Sequence, residues 1–170
     1  MLSILANFKI DSKKKLLHLK KSFYSFNNIS DNWVINIRGK YRIDAVNFLR
    51  TKLKSKLISF ELLDDSEGWS ANTLQMLESI KYNYILLWNE DHCNIVKQEK
   101  YSHILGEMQR EKTDYLLYSW WDFGDSRKAF NTLDLKKGKY TDTVLLTKEI
   151  WDEVRKNGHN YYVVSLIGIF

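Results

Sequence analysis

The segment Tyr84-Ile85-Leu86-Leu87-Trp88-Asn89-Glu90-Asp91-His92 holds the residue types that most directly imply chemistry in this 170-residue chain. An apolar run leads straight into two carboxylates and an imidazole, so the polar groups leave the carboxyl end of a strand together. Hard divalent ions take carboxylate oxygens, and an ion held by one or two carboxylates can also hold a diphosphate. The same letters suit an ordinary acidic loop or a helix cap. Other chemistries are disfavoured: there is no phosphate loop of the Walker type and no dinucleotide Gly-x-Gly-x-x-Gly. His18, His92, His103 and His159 show no metal-binding spacing. The single cysteine, Cys93, excludes an intramolecular disulfide and a cysteine-based zinc site, which makes a reducing compartment, the cytoplasm, the expected location.

The elements that must position this segment alternate. Leu2 to Lys9 reads as a buried strand, and Asp11 or Ser12 can cap a helix striped by Leu16, Leu19, Phe23 and Phe26. Trp33 to Arg38 is the next strand, ended by Gly39. A second helix follows with Ile43, Val46, Leu49 and Leu53 on one stripe. Lys56 to Leu63 is a third strand and Asp64 to Gly68 a polar turn. A third helix, Trp69 to Ile80, is striped by Thr73, Leu74, Leu77 and Ile80, and Tyr84 to Trp88 is the fourth strand. Beyond it the pattern predicts a helix through Tyr101, Ile104, Leu105 and Met108, an aromatic strand Tyr115 to Trp121, and a polar loop Asp122 to Tyr140. Strand Thr141 to Leu146, helix Thr147 to Lys156 and strand Tyr161 to Ile167 complete it. Alternation of this kind indicates one α/β domain over 1–170 with a mostly parallel sheet covered on both faces. Ligands of such sheets sit outside the carboxyl ends of the strands. That rule selects Asn7 to Ser12, Arg38 to Tyr41, Asp64 to Trp69 and Asn89 to Asn94.

Charge divides along the chain. Residues 1–60 hold 13 basic and 3 acidic side chains, residues 61–170 hold 13 and 18, and the net charge is +5. A basic front half suits nucleic acid, an anionic membrane surface or a phosphorylated ligand. No stretch approaches the ~18 apolar residues of a membrane span, so membrane contact, if any, is expected to be peripheral.

The order of elements resembles the nucleotide-binding part of family 2-like GT-A glycosyltransferases. The helix pattern Leu19-Lys20-Lys21-Ser22-Phe23-Tyr24-Ser25-Phe26 is similar to the family's first helix. Gly68-Trp69-Ser70-Ala71-Asn72-Thr73-Leu74 is similar to its glycine, small-residue and asparagine stretch, and Asn89-Glu90-Asp91 stands where Asp-x-Asp stands. The resemblance covers nearly the whole chain through order and spacing. It implies a Rossmann-like three-layer α/β/α fold and a transferase that moves a sugar from a nucleotide-diphosphate donor to a glycan, lipid or protein acceptor, as in polysaccharide biosynthesis. It implies Asn7, Phe8 and Lys9 at the nucleotide, with Asn72 and Glu90 at the donor. It also implies Asp91 as ligand to a divalent cation, Mn or Mg. A second register, with Glu90-Asp91-His92 over the motif, is also allowed.

The departures are informative. Arg38-Gly39-Lys40 replaces the acidic pair that ends the family's second strand, and a guanidinium cannot accept a hydrogen bond from a nucleobase, although it can meet phosphate. Asp64 and Asp65 offer carboxylates from the neighbouring turn. The family's late Glu-Asp catalytic pair has no clear counterpart, which leaves open a missing C-terminal acceptor-binding portion. Asp122 is the candidate base, with Asp152 and Glu153 as alternatives, and Trp120, Trp121 and Phe123 near it suit either a sugar platform or the core. Two competing functions stand beside the transferase: a basic nucleic-acid-binding α/β module, ranked lower for want of a recognised RNA signature, and a GT-A-like domain without catalysis.

Overall fold

Eight consecutive residues of low polarity open the chain, and Leu2–Lys9 forms β1, buried along all but its last residue. The computed structural model describes residues 1–54, 56–61, 63, 65–80, 82–114, 116–117, 135–144, 147–149, 152, 156 and 168–169. The chain packs as two compact units, Met1–Gln98 and Glu99–Phe170.

In the first unit the Ser12 side chain accepts the Lys15 N–H at 3.2 Å and starts α1, Lys13–Phe26. β2 is Asn32–Arg38, α2 is Arg42–Lys52, β3 is Leu57–Glu61, α3 is Gly68–Glu78 and β4 is Tyr84–Leu87. These strands form a parallel sheet in the order β3-β2-β1-β4. The register pairs Leu5 with Val34, Asn7 with Asn36 and Lys9 with Arg38. With the period of two, these odd positions of β1 share one face with the even positions of β2. That face receives α3: Met76 packs on Leu5 and Val34, with Leu63, Ile80, Ile85 and Leu87 around them. The opposite face receives α1. Phe23 and Phe26 approach Trp33 and Trp88 there, and Trp88 lies edge-on to Phe8 at 4.8 Å and to Trp33 at 5.5 Å.

Gly39 ends β2 at φ +94°, a conformation that costs an L side chain dearly. Its turn lets Ile10 N–H reach the Arg38 carbonyl at 2.8 Å and Tyr41 N–H reach the Ile10 carbonyl at 2.9 Å, which ties the ends of β1 and β2.

Two helix faces differ from expectation. In α2 the buried line is Ala45 and Leu49 with Leu53 after the helix, and Ile43 is 73% exposed. Burial of Ala45 and Leu49, one turn apart, fixes a helix rotation that leaves Ile43 outward. In α3 Asn72 and Met76, one turn apart, are buried, whereas Leu74 is exposed and Leu77 lies near the surface. A polar asparagine on the buried line disguised it, and the leucines beside it imitated a core stripe.

The second unit contains α4, Gln98–Glu111, whose Tyr101, Ile104 and Met108 are buried at helical spacing together with Glu107. β5, Leu116–Leu117, pairs antiparallel with β8, Gly168–Ile169. β6, Leu135–Lys137, and β7, Asp142–Val144, form an antiparallel pair, so part of the expected Asp122-to-Tyr140 loop is strand. Glu107 holds the turn of this hairpin. Its carboxylate accepts the backbone N–H groups of Lys139, Tyr140 and Thr141 at 2.7–2.8 Å and the Thr141 hydroxyl at 3.0 Å. Burial pushes the Glu107 pKa up, but these donors outweigh it and hold the carboxyl below its ordinary range.

Candidate functional site

In the order β3-β2-β1-β4, strand succession reverses between β1 and β4, and the carboxyl ends flanking such a reversal frame the usual crevice of an open α/β sheet. The segment after β1 begins at Ile10, and the segment after β4 is Trp88 to His92. Trp88 N–H still donates to the Leu5 carbonyl at 2.9 Å, so the second segment leaves the sheet beside β1, which runs on to Lys9.

On the β1 side, Lys9 and Arg38 stand as register partners on the α3 face. Asp65, from the turn before α3, accepts from both: Lys9 Nζ at 2.7 Å and Arg38 Nη1 at 2.6 Å. Arg38 is 6% exposed, whereas Asp65 and the Lys9 side chain are about half exposed. A short hydrogen bond from Lys9, reinforced by Arg38, holds the Asp65 carboxyl below its ordinary range against the opposing effect of burial. The Asp65 hydrogen bond and charge raise the pKa of Lys9. Asp65 thus brings a carboxylate from the turn before α3 to the end of β2.

Asn7 joins this cluster to α3. Its Nδ2 donates to the Trp69 carbonyl at 3.0 Å and to Thr73 Oγ1 at 2.9 Å, while Trp69 Nε1 donates to the Asn7 carbonyl at 3.1 Å. Asn36 Nδ2 donates to Asn7 Oδ1 at 3.0 Å, and Asn36 Oδ1 accepts the Leu63 N–H at 3.3 Å. The amide pair therefore sets where the 63–69 turn, and Asp65 with it, meets β1 and β2.

On the β4 side, α1 braces the polar turn. Trp88 Nε1 donates to Ser22 Oγ at 2.7 Å, and Ser22 Oγ in turn approaches the His92 and Asn89 carbonyls. Ser25 accepts the Asn94 N–H at 2.8 Å. Lys15 links the two sides: its Nζ donates to the Lys9 carbonyl at 3.1 Å and lies 3.7 Å from Glu90 Oε1. Asp91 is exposed, with Oδ1 3.1 Å from His92 Nδ1.

The expected site residues therefore divide. Lys9, Arg38 and Asp65 form one bonded cluster, Asn7 is bonded instead to Trp69, Thr73 and Asn36 beside it, and Glu90 connects to the Lys9 main chain through Lys15. Gly39 shapes the backbone behind it. Phe8 is buried on the α1 face against Trp88, and Asn72 is buried within α3. Asp64, Asp122, Glu153, Trp120, Trp121 and Phe123 lie outside the described residues. Asp152 is exposed. Reading the sequence missed Asn36, although a lone amide inside Val34-Ile35-Asn36-Ile37 was a visible signal, and it missed Lys15, which nothing distinguishes from its neighbouring lysines.

A cation at this site would find few protein ligands. Among the described residues no three His, Cys, Asp or Glu side chains gather into a metal site. Glu90 already faces Lys15, which leaves Asp91 as the exposed carboxylate. No protein-family model and no curated protein matches the chain.

Proposed function

We propose that this chain is a GT-A-like glycosyltransferase, a three-layer α/β/α nucleotide-sugar-binding domain that transfers a sugar from a nucleoside-diphosphate donor to a glycan, lipid or protein acceptor. One observation carries the reading. The Asn89-to-His92 turn follows β4 beside the end of β1, where strand order reverses, with the cations of Lys9 and Arg38 and the carboxylate of Asp65 on the adjoining strand ends. Lys9, with Lys15 beside it, offers positive charge to a diphosphate. Asp65 keeps lone pairs beyond the two it uses, so it supplies the acceptor for a nucleobase N–H that Arg38 cannot. Asp91, with the diphosphate oxygens, would hold Mn or Mg, and the ion would neutralise the departing diphosphate. In the transfer the acceptor hydroxyl oxygen bonds to the anomeric carbon as the bond to the diphosphate breaks. Asp122 is the proposed base that takes the hydroxyl proton.

Thermal melts with UDP- and GDP-sugars, with and without Mn²⁺ or Mg²⁺, test this. A donor at about a hundred times its Kd adds about 2.7 kcal/mol of stability, a rise of several degrees in Tm. Asp91→Asn is expected to remove the metal-dependent part of the rise. No shift with any donor, together with an unchanged response in Asp91→Asn, would refute the proposal.

A further inference from the structure

We infer that the outer face of α1 and α2 is a docking surface for an anionic lipid bilayer, independently of what binds at the strand ends. Three observations converge on this face.

The first is charge. α1 carries five lysines and no acid, and α2 carries Arg42, Arg50 and Lys52 against Asp44 alone. The second is apolar exposure within that charge. Leu17 is 50% exposed, Ile43 is 73% exposed and Tyr24 is 57% exposed. On α1 the stripe Lys13, Leu17, Lys20, Tyr24 follows helical spacing, so cationic and apolar side chains share one line. The third is shape. A shallow groove of about 440 Å³ is lined by Lys13, Leu16, Leu17 and Lys20 from α1 and by Asp44 and Asn47 from α2. A second hollow of about 210 Å³, lined by Arg42, Ile43, Val46 and Arg50, meets it at Asn47. The outward side chains of both helices therefore belong to one continuous surface. Lys20 Nζ lies 5.6 Å from the Phe48 ring centre, and Lys52 Nζ lies at the same distance from that of Tyr24.

A bilayer uses all three features. Its phosphates and carboxylates attract the cations, and its acyl boundary takes in aliphatic side chains that water disfavours. A nucleic-acid backbone would use the charge but has no site for an exposed leucine and isoleucine, since its apolar contacts are stacked aromatic faces. The aliphatic tips decide between the two polyanions.

Cosedimentation of the full chain with vesicles tests the inference, using phosphatidylcholine alone and phosphatidylcholine with about one-third phosphatidylserine. The wild type is expected to partition at least about tenfold better onto the anionic vesicles, and less so as salt is raised. A lysine near such a surface is worth about a fivefold change in partition. Reversing two, Lys13→Glu with Lys20→Glu, is therefore expected to weaken binding by more than about twentyfold. Leu17→Gln with Ile43→Gln leaves charge unchanged and is expected to weaken it by about fivefold or more through lost apolar burial. Ala71→Glu with Gln75→Glu, on α3 across the sheet from the face, lowers net charge by two and should largely retain binding. All six positions are wholly or partly exposed, so melting temperatures near wild type confirm that folding is intact. Equal binding to neutral vesicles, an equal loss in the Ala71/Gln75 variant, wild-type binding by the Leu17/Ile43 variant, or retention of duplex RNA or DNA without vesicle binding would each overturn it.

Discussion

The Asn7–Asn36 amide pair offers the sharpest test of how the strand ends are held. Asn36 is fully buried and Asn7 is 9% exposed, and their hydrogen bond spans β1 and β2 at 3.0 Å. Asn7→Ala deletes that bond and the two donated to Trp69 and Thr73. Thr73 still donates to the Trp69 carbonyl at 2.8 Å, and Trp69 Nε1 still donates to the main chain of residue 7, so α3 keeps part of its attachment. What is left stranded is the buried Asn36 amide. At a net value of about 1 kcal/mol per hydrogen bond and about 1–3 kcal/mol for a stranded buried group, the three lost bonds and the stranded amide make Asn7→Ala cost about 4–6 kcal/mol. Asn36→Ala loses its bonds to Asn7 and to the Leu63 N–H and should cost about 2–3 kcal/mol. The double variant should cost less than the sum by about 1–2 kcal/mol, because the shared bond can be lost only once. Urea unfolding followed by tryptophan fluorescence gives all four corners of the cycle. Single costs below about 0.5 kcal/mol, or additivity within about 0.5 kcal/mol, would refute the reasoning. Because the pair sets the position of the Asp65 turn, Asn7→Ala should also weaken stabilisation by nucleotide-sugars.

Gly39→Ala should destabilise the first unit by about 1–3 kcal/mol from its backbone conformation alone. The added Cβ would also fall 2.6 Å from Asp11 Oδ1 and 2.9 Å from the Ile10 carbonyl group, so the measured loss of unfolding free energy should lie at or above the upper end. Met76→Ala opens a cavity against Leu5 and Val34 and should cost about 2–5 kcal/mol in the same assay. Glu107→Gln puts an amide where backbone N–H groups need acceptors, which should loosen the β6–β7 hairpin and raise its amide hydrogen exchange. The folded pKa of Glu107 is depressed, so its contribution is fully present above the ordinary carboxylate pKa and is lost as pH falls through the folded value. The Tm gap between wild type and Glu107→Gln should accordingly be wide at neutral pH and close toward acid; a gap independent of pH would contradict the role of the charged form.

Legibility followed the strength of the local signal. β1, β2 and β4 were readable because their apolar runs end in abrupt polar or glycine stops, and α1 because Ser12 and the Leu19-Phe23-Phe26 spacing agree. The buried faces of α2 and α3 were not, because a helix with apolar residues at adjacent positions fits two rotations, and only the sheet chooses. Ile43 and Leu74 read as core and are exposed, while the buried line of α3 runs through Asn72.

Parallel alternation and the polar ends of strands followed from the sequence itself, since both arise from residue order and from periods of two and 3.6. Tertiary structure decided which ends meet. Asp65 reaches Arg38 from 27 positions away, and Lys15 bridges Lys9 and Glu90. Their encounter depends on β1 lying between β2 and β4, an order set by the packing of helices on the two faces, and no local pattern encodes it.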